Sequence, residues 1–316
     1  MDISVVVPAF NEAESLPELT SWIAGVMKAH SFSYELIFVD DGSTDSTWKI
    51  VQELAVSDPA VHGIRFRRNY GKSAALYCGF GKASGDVVFT MDADLQDSPD
   101  EISEMYRMIK EDGYDLVSGW KQHRKDNKLT KNLPSKLYNA TARFITGLKL
   151  HDMNCGLKAY RQDVVKSIEV YGEMHRYIPY LAKNAGFCKI GEKPVHHEKR
   201  KYGKSKFGAN RFVNGFLDLL SLWFLSTFGK KPMHFFGYTG LGMFLVGFVM
   251  TICIIVSKLS AQAAGLKYRA VTDQPLFYLA LLAVILGVML FLAGFLGEMI
   301  ARSSSERNVY NIKQEF

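Results

Sequence analysis

The chain has 316 residues, of which 48% are hydrophobic and 22% charged, a composition that is ordinary for a folded protein with one large domain or two smaller ones. Its net charge of +6 is modest, and the basic residues gather beside an apolar run, which favours anionic lipid over nucleic acid as a partner. The four cysteines show no CxxC spacing, which favours reduced thiols over a disulfide framework or a zinc site.

Short apolar runs alternate with helical patterns through the first 120 residues. The runs are ISVVV from Ile3, YELIFV from Tyr34, HGIRF from His62, DVVFTM from Asp86 and DLVSGW from Asp115. The helical patterns between them cover Glu14 to Ala29, Thr44 to Val56, Lys72 to Ala83 and Pro99 to Glu111. This alternation predicts an α/β fold with a mainly parallel, twisted sheet and helices on both faces.

Polar motifs follow the first four strands, at the sheet edge where ligands bind in such folds. The turn PAFNE offers a flat apolar face and polar edges to a nucleotide base. The paired aspartates of DDGS can accept hydrogen bonds from ribose hydroxyls or base N–H groups. The alternative for Asp41 is that it only stabilises the turn in which it lies. Lys72 opens a helix whose N-terminus would attract a diphosphate. The predicted nucleotide-binding residues are Pro8, Phe10, Asn11, Glu12, Asp40, Asp41, Lys72 and Asp92.

Asp92 and Asp94 form a DxD pair directly behind the fourth strand. Alternate positions leaving a strand project from the same side, so both carboxylates can reach one hard cation. Mg²⁺ or Mn²⁺ would keep positions open for phosphate oxygens, and Gln96 continues the spacing with a carbonyl ligand. The chain has no GxxxxGK[ST] loop and no GxGxxG in the first βα turn, which disfavours ATPases and nicotinamide enzymes.

Two apolar runs near the C-terminus, from Met233 to Ser257 and from Pro275 to Ile300, predict two membrane-spanning helices. A pair of buried core helices is the alternative. Polar residues at helical spacing before the first run, with aromatic residues on the other sides, indicate an interfacial helix, for which an amphipathic core helix is the alternative. The expected domains are residues 1–206, the interfacial helix 207–231 and the spans with a short tail, 232–316.

The opening residues lack the basic region and the apolar length of a cleavable signal, so we expect the N-terminal part to stay in the cytoplasm. Basic residues flank the first span more densely than they occupy the linker between the spans. By the positive-inside rule this predicts a multi-pass protein of the cytoplasmic membrane with both termini in the cytoplasm. Small residues in the first span would permit close helix packing; they are Gly237, Gly240, Gly242 and Gly247.

The motifs VVPAFNEAESL, FVDDGSTDST, RNYGKSAAL, MDADLQDSPDEI and GKSKFG resemble those of the inverting family 2 glycosyltransferases of GT-A fold. More narrowly the chain resembles the polyprenyl-phosphate glycosyltransferases: dolichol-phosphate mannose synthase, the bactoprenol glucosyltransferases and the undecaprenyl-phosphate aminoarabinose transferase. The resemblance implies a UDP- or GDP-sugar donor, Mg²⁺ or Mn²⁺ at Asp92, Asp94 and Gln96, and a polyprenyl phosphate acceptor. It also makes a homo-oligomer such as a tetramer an expectation, and leaves open whether a flippase or a downstream transferase is a partner.

Basic residues are expected to hold the acceptor phosphate. Related enzymes carry such residues where this chain has its first basic cluster, and a second cluster is coupled to a glycine turn in KYGKSK. The alternative for both clusters is contact with lipid headgroups. Some relatives have arginine where this chain has lysine at positions 121 and 131, and lysine cannot form arginine's bidentate hydrogen bonds. The predicted acceptor residues are Lys121, Arg124, Lys131, Ser135, Arg200, Ser205 and Lys206.

The predicted reaction is metal-dependent, inverting transfer of one hexose-like sugar to the lipid phosphate. A lipid phosphate is already anionic near neutral pH and needs little general-base help, so Asp152 is expected to orient groups or support the metal. The residues assigned to catalysis are Asp94, Arg124, Asp152, Arg200 and Lys206. Three alternatives stay open: a processive polysaccharide synthase, although QxxRW is absent, a non-catalytic subunit that binds nucleotide sugar, and a nucleotidyltransferase.

Overall fold

The computed structural model describes residues 1–122, 143, 146–198, 201–202, 224, 228, 232–265, 270–303 and 310–316. The chain forms two compact units. One contains Met1–Leu220 together with Arg307–Phe316, and the other contains Ser221–Glu306. The last residues of the chain therefore fold with its N-terminal part, although two long helices separate them in sequence.

The larger unit contains strands and helices in alternation, and its first five strands begin within one residue of the predicted runs. Its strands are β1 (Ile3–Ala9), β2 (Tyr34–Asp40), β3 (Val61–Phe66), β4 (Val87–Thr90), β5 (Leu116–Trp120), β6 (Lys158–Arg161), β7 (Ile190–Pro194) and β8 (Ile312–Glu315). Its described helices are α1 (Leu16–Ala29), α2 (Thr47–Ser57), α3 (Lys72–Lys82), α4 (Ile102–Lys110), α5 (Gln162–Ser167) and α6 (Ile178–Asn184).

All of these strands lie in one sheet with the order β7-β5-β6-β4-β1-β2-β3-β8. Strands β3, β2, β1 and β4 run parallel to one another, as do β5 and β7. Strand β6 is inserted antiparallel between β4 and β5, and β8 runs antiparallel along the outer edge of β3. The α/β prediction is confirmed, but the sheet is mixed because β6 and β8 run opposite to the other six strands.

Helices cover both faces of the sheet, as predicted. Helix α1 has a proline in its first turn, Glu18 near its N-terminus and Lys28 near its C-terminus, all favourable for a helix with its dipole. Its buried residues Leu19, Ile23 and Met27 recur every four positions and join one hydrophobic core with alternate residues of β1 and β2. Helix α3 packs on the opposite face so closely that a Cβ on its Gly79 would lie 2.3 Å from Val6.

The C-terminal strand β8 covers the edge of β3, which the sequence did not predict. Phe316 and Gly63 exchange two backbone hydrogen bonds, of 3.0 and 3.1 Å. The indole N–H of Trp48 donates to the Gln314 amide oxygen at 2.9 Å, and the Phe316 ring centroid is 5.3 Å from that of Trp48. A short strand that caps an edge in this way removes a row of unpaired backbone groups.

The smaller unit contains helices α7 (Pro232–Ala263) and α8 (Pro275–Ser303). Both are long and apolar enough to cross a membrane, and most of their side chains are exposed to their surroundings. The two helices pack backbone to backbone, since a Cβ on Gly240 would lie 2.6 Å from the carbonyl oxygen of Gly287 and one on Gly247 would lie 2.7 Å from that of Ala280. Gly240 and Gly247 thus act within the helical pair.

The predicted interfacial helix 207–231 lies outside the described residues, apart from the helical positions Phe224 and Phe228. Their rings pack against the ring of Phe235 in α7, with centroids 5.4 and 5.0 Å apart. The interfacial helix and the domain limits at 206 and 231 stay predictions.

Candidate functional site

The polar motifs predicted to bind a nucleotide meet at one edge of the sheet. Ala9 at the end of β1 lies opposite Asp40 at the end of β2, and the Asp41 N–H donates to the Ala9 carbonyl at 2.9 Å. Met91, just beyond β4, donates its N–H to Val6 at 3.2 Å. Parallel register therefore brings the ends of β1, β2 and β4 together, as the sequence predicts.

The turn after β1 is bonded to the start of α2. The Asn11 N–H donates to Ser43 Oγ and the Asn11 side-chain oxygen accepts from the Thr44 N–H, each at 2.9 Å. Asn11 has a left-handed backbone (φ 53°), which asparagine tolerates better than most residues. The Glu12 N–H donates to Thr47 Oγ1 at 2.9 Å. Beside this turn lies a cavity of about 250 Å³ lined by Asn11, Glu12, Ala13, Glu14, Ser15, Asp45, Ser46 and Tyr202.

The two aspartates after β2 hold different parts of the edge. Asp40 is fully buried, accepts from the Ser43 N–H at 2.9 Å and lies 3.3 Å from Arg65 Nε. The two oxygens of Asp41 accept from the N–H groups of Tyr70 and Gly71 at 2.7 and 2.9 Å. Burial raises the pKa of Asp41, and these two bonds oppose that rise. In this structure Asp41 fixes the loop before α3, while Asp40 closes the turn at Gly42.

Gly42 is required by both its backbone and its surroundings. Its φ is +72°, a region that other residues rarely adopt, and a Cβ there would lie 2.4 Å from the carbonyl carbon of Arg68. The backbone of the DDGS motif therefore packs directly against the loop that precedes Lys72.

Asp92 is the centre of a dense group of charges. Lys72, the first residue of α3, forms an ion pair with Asp92 Oδ1, and both side chains are about one-third exposed, at 31% and 33%. Burial by itself would raise the pKa of Asp92, but the charges of Lys72, Lys121 and Lys158 outweigh it and hold that pKa well below its usual value. The carboxylate lies over Gly156, where a Cβ would be 2.5 Å from Asp92 Oδ2.

Asp94 and Gln96 are brought onto the same turn by a left-handed residue between them, Leu95 (φ 58°). The Gln96 N–H donates to Asp94 Oδ1 at 3.3 Å, and the Gln96 amide donates to the Glu198 carbonyl at 3.3 Å. No group of three or more His, Cys, Asp or Glu side chains is gathered to hold a metal ion anywhere in the described residues. Two carboxylates and one amide fit Mg²⁺ or Mn²⁺, which use few protein oxygens when phosphate supplies the others. Asp92 already holds a cation, the ammonium group of Lys72.

Asp97 joins this turn to two other segments, which the sequence analysis missed. Its side chain is fully buried, and Oδ1 lies 2.9 Å from Lys121 Nζ at the end of β5 and 3.3 Å from His197 Nδ1 after β7. Burial would raise the pKa of Asp97, but the His197 hydrogen bond and the Lys121 charge together lower it. An isolated antiparallel bridge between Asp97 and His197 reinforces the link. Lys121, predicted to bind acceptor phosphate, is thus held by Asp97 with only 12% of its side chain exposed.

Asp152 is buried and contributes to a local turn. Its carboxylate accepts from the Asn154 N–H at 3.0 Å, and its own N–H donates to Glu192 at 3.0 Å. Its proposed part in catalysis stays a prediction. The other predicted acceptor and catalytic residues lie outside the described part of the chain; they are Arg124, Lys131, Ser135, Arg200, Ser205 and Lys206.

The sequence model for glycosyl transferase family 2 matches residues 4–169, which include every motif at this edge. The chain belongs to glycosyl transferase family 2. Among curated members it is 35% identical over 305 residues to dodecaprenyl-phosphate galacturonate synthase of Rhizobium johnstonii, covering 96% of this chain and 88% of the relative. It is also 35% identical over 307 residues to undecaprenyl-phosphate 4-deoxy-4-formamido-L-arabinose transferase of Shewanella sediminis, covering 96% and 88%. The resemblance drawn from the motifs is confirmed.

Solved structures of other glycosyltransferases have the same fold as this chain. Glucosyl-3-phosphoglycerate synthase from Mycobacterium tuberculosis, in complex with UDP, superposes with a TM-score of 0.54 at 21% identity, covering 70% of this chain and 80% of that one. Mannosyl-3-phosphoglycerate synthase from Rubrobacter xylanophilus gives 0.56 at 15% identity, covering 71% and 74%. The GT-A prediction is therefore confirmed at the level of fold.

The family 2 site also contains residues that no motif indicated. Lys158 on β6 is buried beside Asp92 and donates to the Cys155 carbonyl. His175 contacts Ser73 through its ring Nδ1 at 3.2 Å and through its N–H at 3.0 Å, and burial together with Lys72 holds the pKa of His175 well below its usual value. The only signal in the sequence was a lysine inside an apolar run, LKAY, which is unusual for a central strand.

Proposed function

We propose that this family 2 glycosyltransferase transfers one sugar from a nucleotide-sugar donor to a polyprenyl phosphate, with inversion at the anomeric carbon and with Mg²⁺ or Mn²⁺ bound. The observation that carries the proposal is that similarity to relatives named for polyprenyl-phosphate sugars extends over 96% of the chain, membrane-spanning helices included. A relative that shared only the sheet would say nothing about a lipid acceptor.

The donor's diphosphate is proposed to bind beside Lys72 and the DxD turn. Lys72 stands at the N-terminus of α3, where backbone N–H groups point outward and favour an anion. Asp92, Asp94 and Gln96 would hold the metal, which when bound neutralises charge on the leaving diphosphate. Asp41 and Gly42 fix the loop before α3, so the backbone from which Lys72 extends is positioned before the donor arrives.

The acceptor is proposed to react without a dedicated base. A phosphate monoester carries about 1.5 to 2 negative charges near neutral pH, so its oxygen can attack the anomeric carbon without losing a proton to the protein. Asp152 supports this view, since it is buried and its carboxylate is bonded to a local turn. Arg124, Lys131, Ser135, Arg200, Ser205 and Lys206 stay the predicted phosphate-binding residues.

The location is proposed to be the cytoplasmic membrane, with both termini on the cytoplasmic side. Strand β8 follows α8 and pairs with β3, so the residues before and after the two spans belong to one folded unit. Two crossings return the chain to the side from which it started. A homo-oligomer stays a prediction, for which cross-linking of the full chain in nanodiscs is the measurement.

The test uses the full chain in nanodiscs with undecaprenyl phosphate, Mn²⁺ or Mg²⁺ and a panel of radiolabelled nucleotide sugars. One donor should label the organic extract, EDTA should abolish the labelling, and Asp94→Ala should fail to label. Asp86→Ala is the matched control, because Asp86 precedes the opposite end of β4 and pairs with the exposed Lys110.

Each alternative predicts a different result. A nucleotide-sugar-binding subunit without activity would bind a donor and label nothing. A nucleotidyltransferase would release pyrophosphate instead of a nucleoside diphosphate. A processive synthase would give products that grow beyond one sugar per lipid. Any of these results would contradict the proposed function.

A further inference from the structure

Three carboxylates and three ammonium groups share the edge around the DxD motif. Asp92, Asp94 and Asp97 belong to one short turn, and the charges of Lys72, Lys121 and Lys158 all act on Asp92. The lysines come from the start of α3, the residue after β5 and strand β6, which are far apart in sequence. Three lysine side chains therefore act on the carboxylate of the DxD motif before any ligand arrives, which is unusual for a site that must attract a divalent cation.

The three lysines differ in what else holds them. Lys121 is paired with the buried Asp97, and Lys158 is 4% exposed and donates to the Cys155 carbonyl. Lys72 is 31% exposed, and within the described residues its ammonium group is paired with Asp92 itself. It stands on the first turn of α3 after Gly71, whose φ of +92° marks the point where the loop turns into the helix. Of the three, Lys72 is the most exposed, so its flexible side chain has the freest path to another position.

We propose that Lys72 is an exchangeable counter-ion, which occupies Asp92 while the site is empty and moves to the donor's diphosphate when metal and nucleotide bind. The inference rests on the proposed function for the identity of the diphosphate. A divalent cation that binds alone must displace the ammonium group of Lys72 from Asp92, so its affinity is low. A nucleoside diphosphate supplies the anion that Lys72 needs, so the two ligands bind cooperatively.

This arrangement couples the departure of the metal to that of the nucleoside diphosphate. A metal ion bound tightly to two aspartates would persist after the nucleoside diphosphate leaves, and the next donor would meet a site with altered charge. With Lys72 as the replacement cation, release of nucleotide and release of metal favour each other, because coupling between two ligands is reciprocal.

The test measures Mn²⁺ binding itself. Free Mn²⁺ is counted by its solution EPR signal during titration of the full chain in nanodiscs, without nucleotide and with saturating UDP or GDP. Lys72→Met should bind Mn²⁺ about tenfold more tightly than wild type when nucleotide is absent, within the roughly 5- to 150-fold range of coupling between sites. Nucleotide should then strengthen Mn²⁺ binding by a smaller factor in this variant than in wild type.

Two control variants separate the charge of Lys72 from its bulk and from general charge removal. Lys72→Arg keeps a cation beside Asp92 and should restore weak Mn²⁺ binding. Lys110→Met removes the same charge from an exposed pair with Asp86 at the far end of β4 and should bind Mn²⁺ as wild type does. Circular dichroism melting of each variant shows whether it folds.

The outcomes distinguish this inference from the proposed function. Unchanged or weaker Mn²⁺ binding by folded Lys72→Met overturns the inference, while the lipid-labelling assay on wild type continues to test the function. Tighter binding by Lys72→Met with no nucleotide effect in wild type supports the competition at Asp92 and overturns the exchange with diphosphate. No Mn²⁺ binding by any form overturns the inference, while the Mg²⁺ and EDTA arms of the lipid-labelling assay continue to test whether the reaction depends on a metal.

Discussion

Replacing Gly156 with alanine should displace the Asp92 carboxylate. The new Cβ would lie 2.5 Å from Asp92 Oδ2, 2.6 Å from its Cγ and 2.9 Å from Oδ1. Ordinary contacts begin at 3.4 Å, so the carboxylate must retreat by about 1 Å. The φ of Gly156 is not in the positive range, so the methyl group adds no backbone strain. The perturbation therefore acts on one side chain at the site.

A displacement of about 1 Å in a catalytic arrangement costs roughly 100-fold in rate, or about 2.7 kcal/mol of transition-state stabilisation. We expect Gly156→Ala to lower kcat/KM by this factor and to weaken Mn²⁺ binding in the presence of nucleotide. Its effect on unfolding should stay at or below about 1 kcal/mol, the lower limit for overpacking, because the group that must yield is 33% exposed.

The assay is lipid labelling at varied donor concentration, together with thermal unfolding. Gly81→Ala is the matched control, since a Cβ there meets nothing within 4 Å and the position lies inside α3. It should keep wild-type kcat/KM and gain about 0.5 to 1 kcal/mol of stability from helix propensity. Wild-type kcat/KM in Gly156→Ala, or a loss of activity matched by general unfolding, would refute the reasoning.

Three further predictions concern stability and reactivity. Asp97→Asn leaves the buried Lys121 without its carboxylate and should destabilise folding by about 3 to 5 kcal/mol, measured by thermal or urea unfolding; a change under about 1 kcal/mol would contradict the pairing. Deletion of residues 311–316 uncovers the edge of β3 and should lower the melting temperature and promote aggregation, measured by light scattering against the full chain. Burial raises the pKa of Cys155 to about 12, so at pH 8 maleimide should modify the exposed Cys188 well before Cys155, as peptide mass spectrometry of the folded chain will show.

The parallel half of the sheet could be predicted because each of its strands is a local apolar run between turn signals. β1 and β2 carry long buried stretches, and the motifs that follow them contain the glycines and aspartates of tight turns. Once these strands are parallel, the sheet edge at which Asp41 and Asp92 meet follows from chain direction alone. The two apolar helices were visible for the same reason, since length and composition are local properties.

Pairings between distant segments could not be predicted in this way. Nothing near residue 312 indicates a strand, because β8 is polar, four residues long and exposed, and it becomes a strand only by pairing with β3. The ion pair of Lys121 with Asp97 was equally hidden, since a lysine after a strand looks like a free cation until its neighbours are known. Lys158 was hidden because single-sequence patterns do not say which elements surround a residue.

The C-terminal strand sets the order in which this enzyme can be completed during synthesis. About 250 residues separate β3 from β8. At a synthesis rate of roughly 5 to 20 residues per second, the edge of β3 stays unpaired for about 10 to 50 seconds while both apolar helices are made. During that interval the unpaired edge of β3 is available for pairing with other nascent chains on the same polysome. Pairing of β8 with β3 is therefore the last step in forming the sheet. A purification tag placed directly after Phe316 would interfere with that pairing.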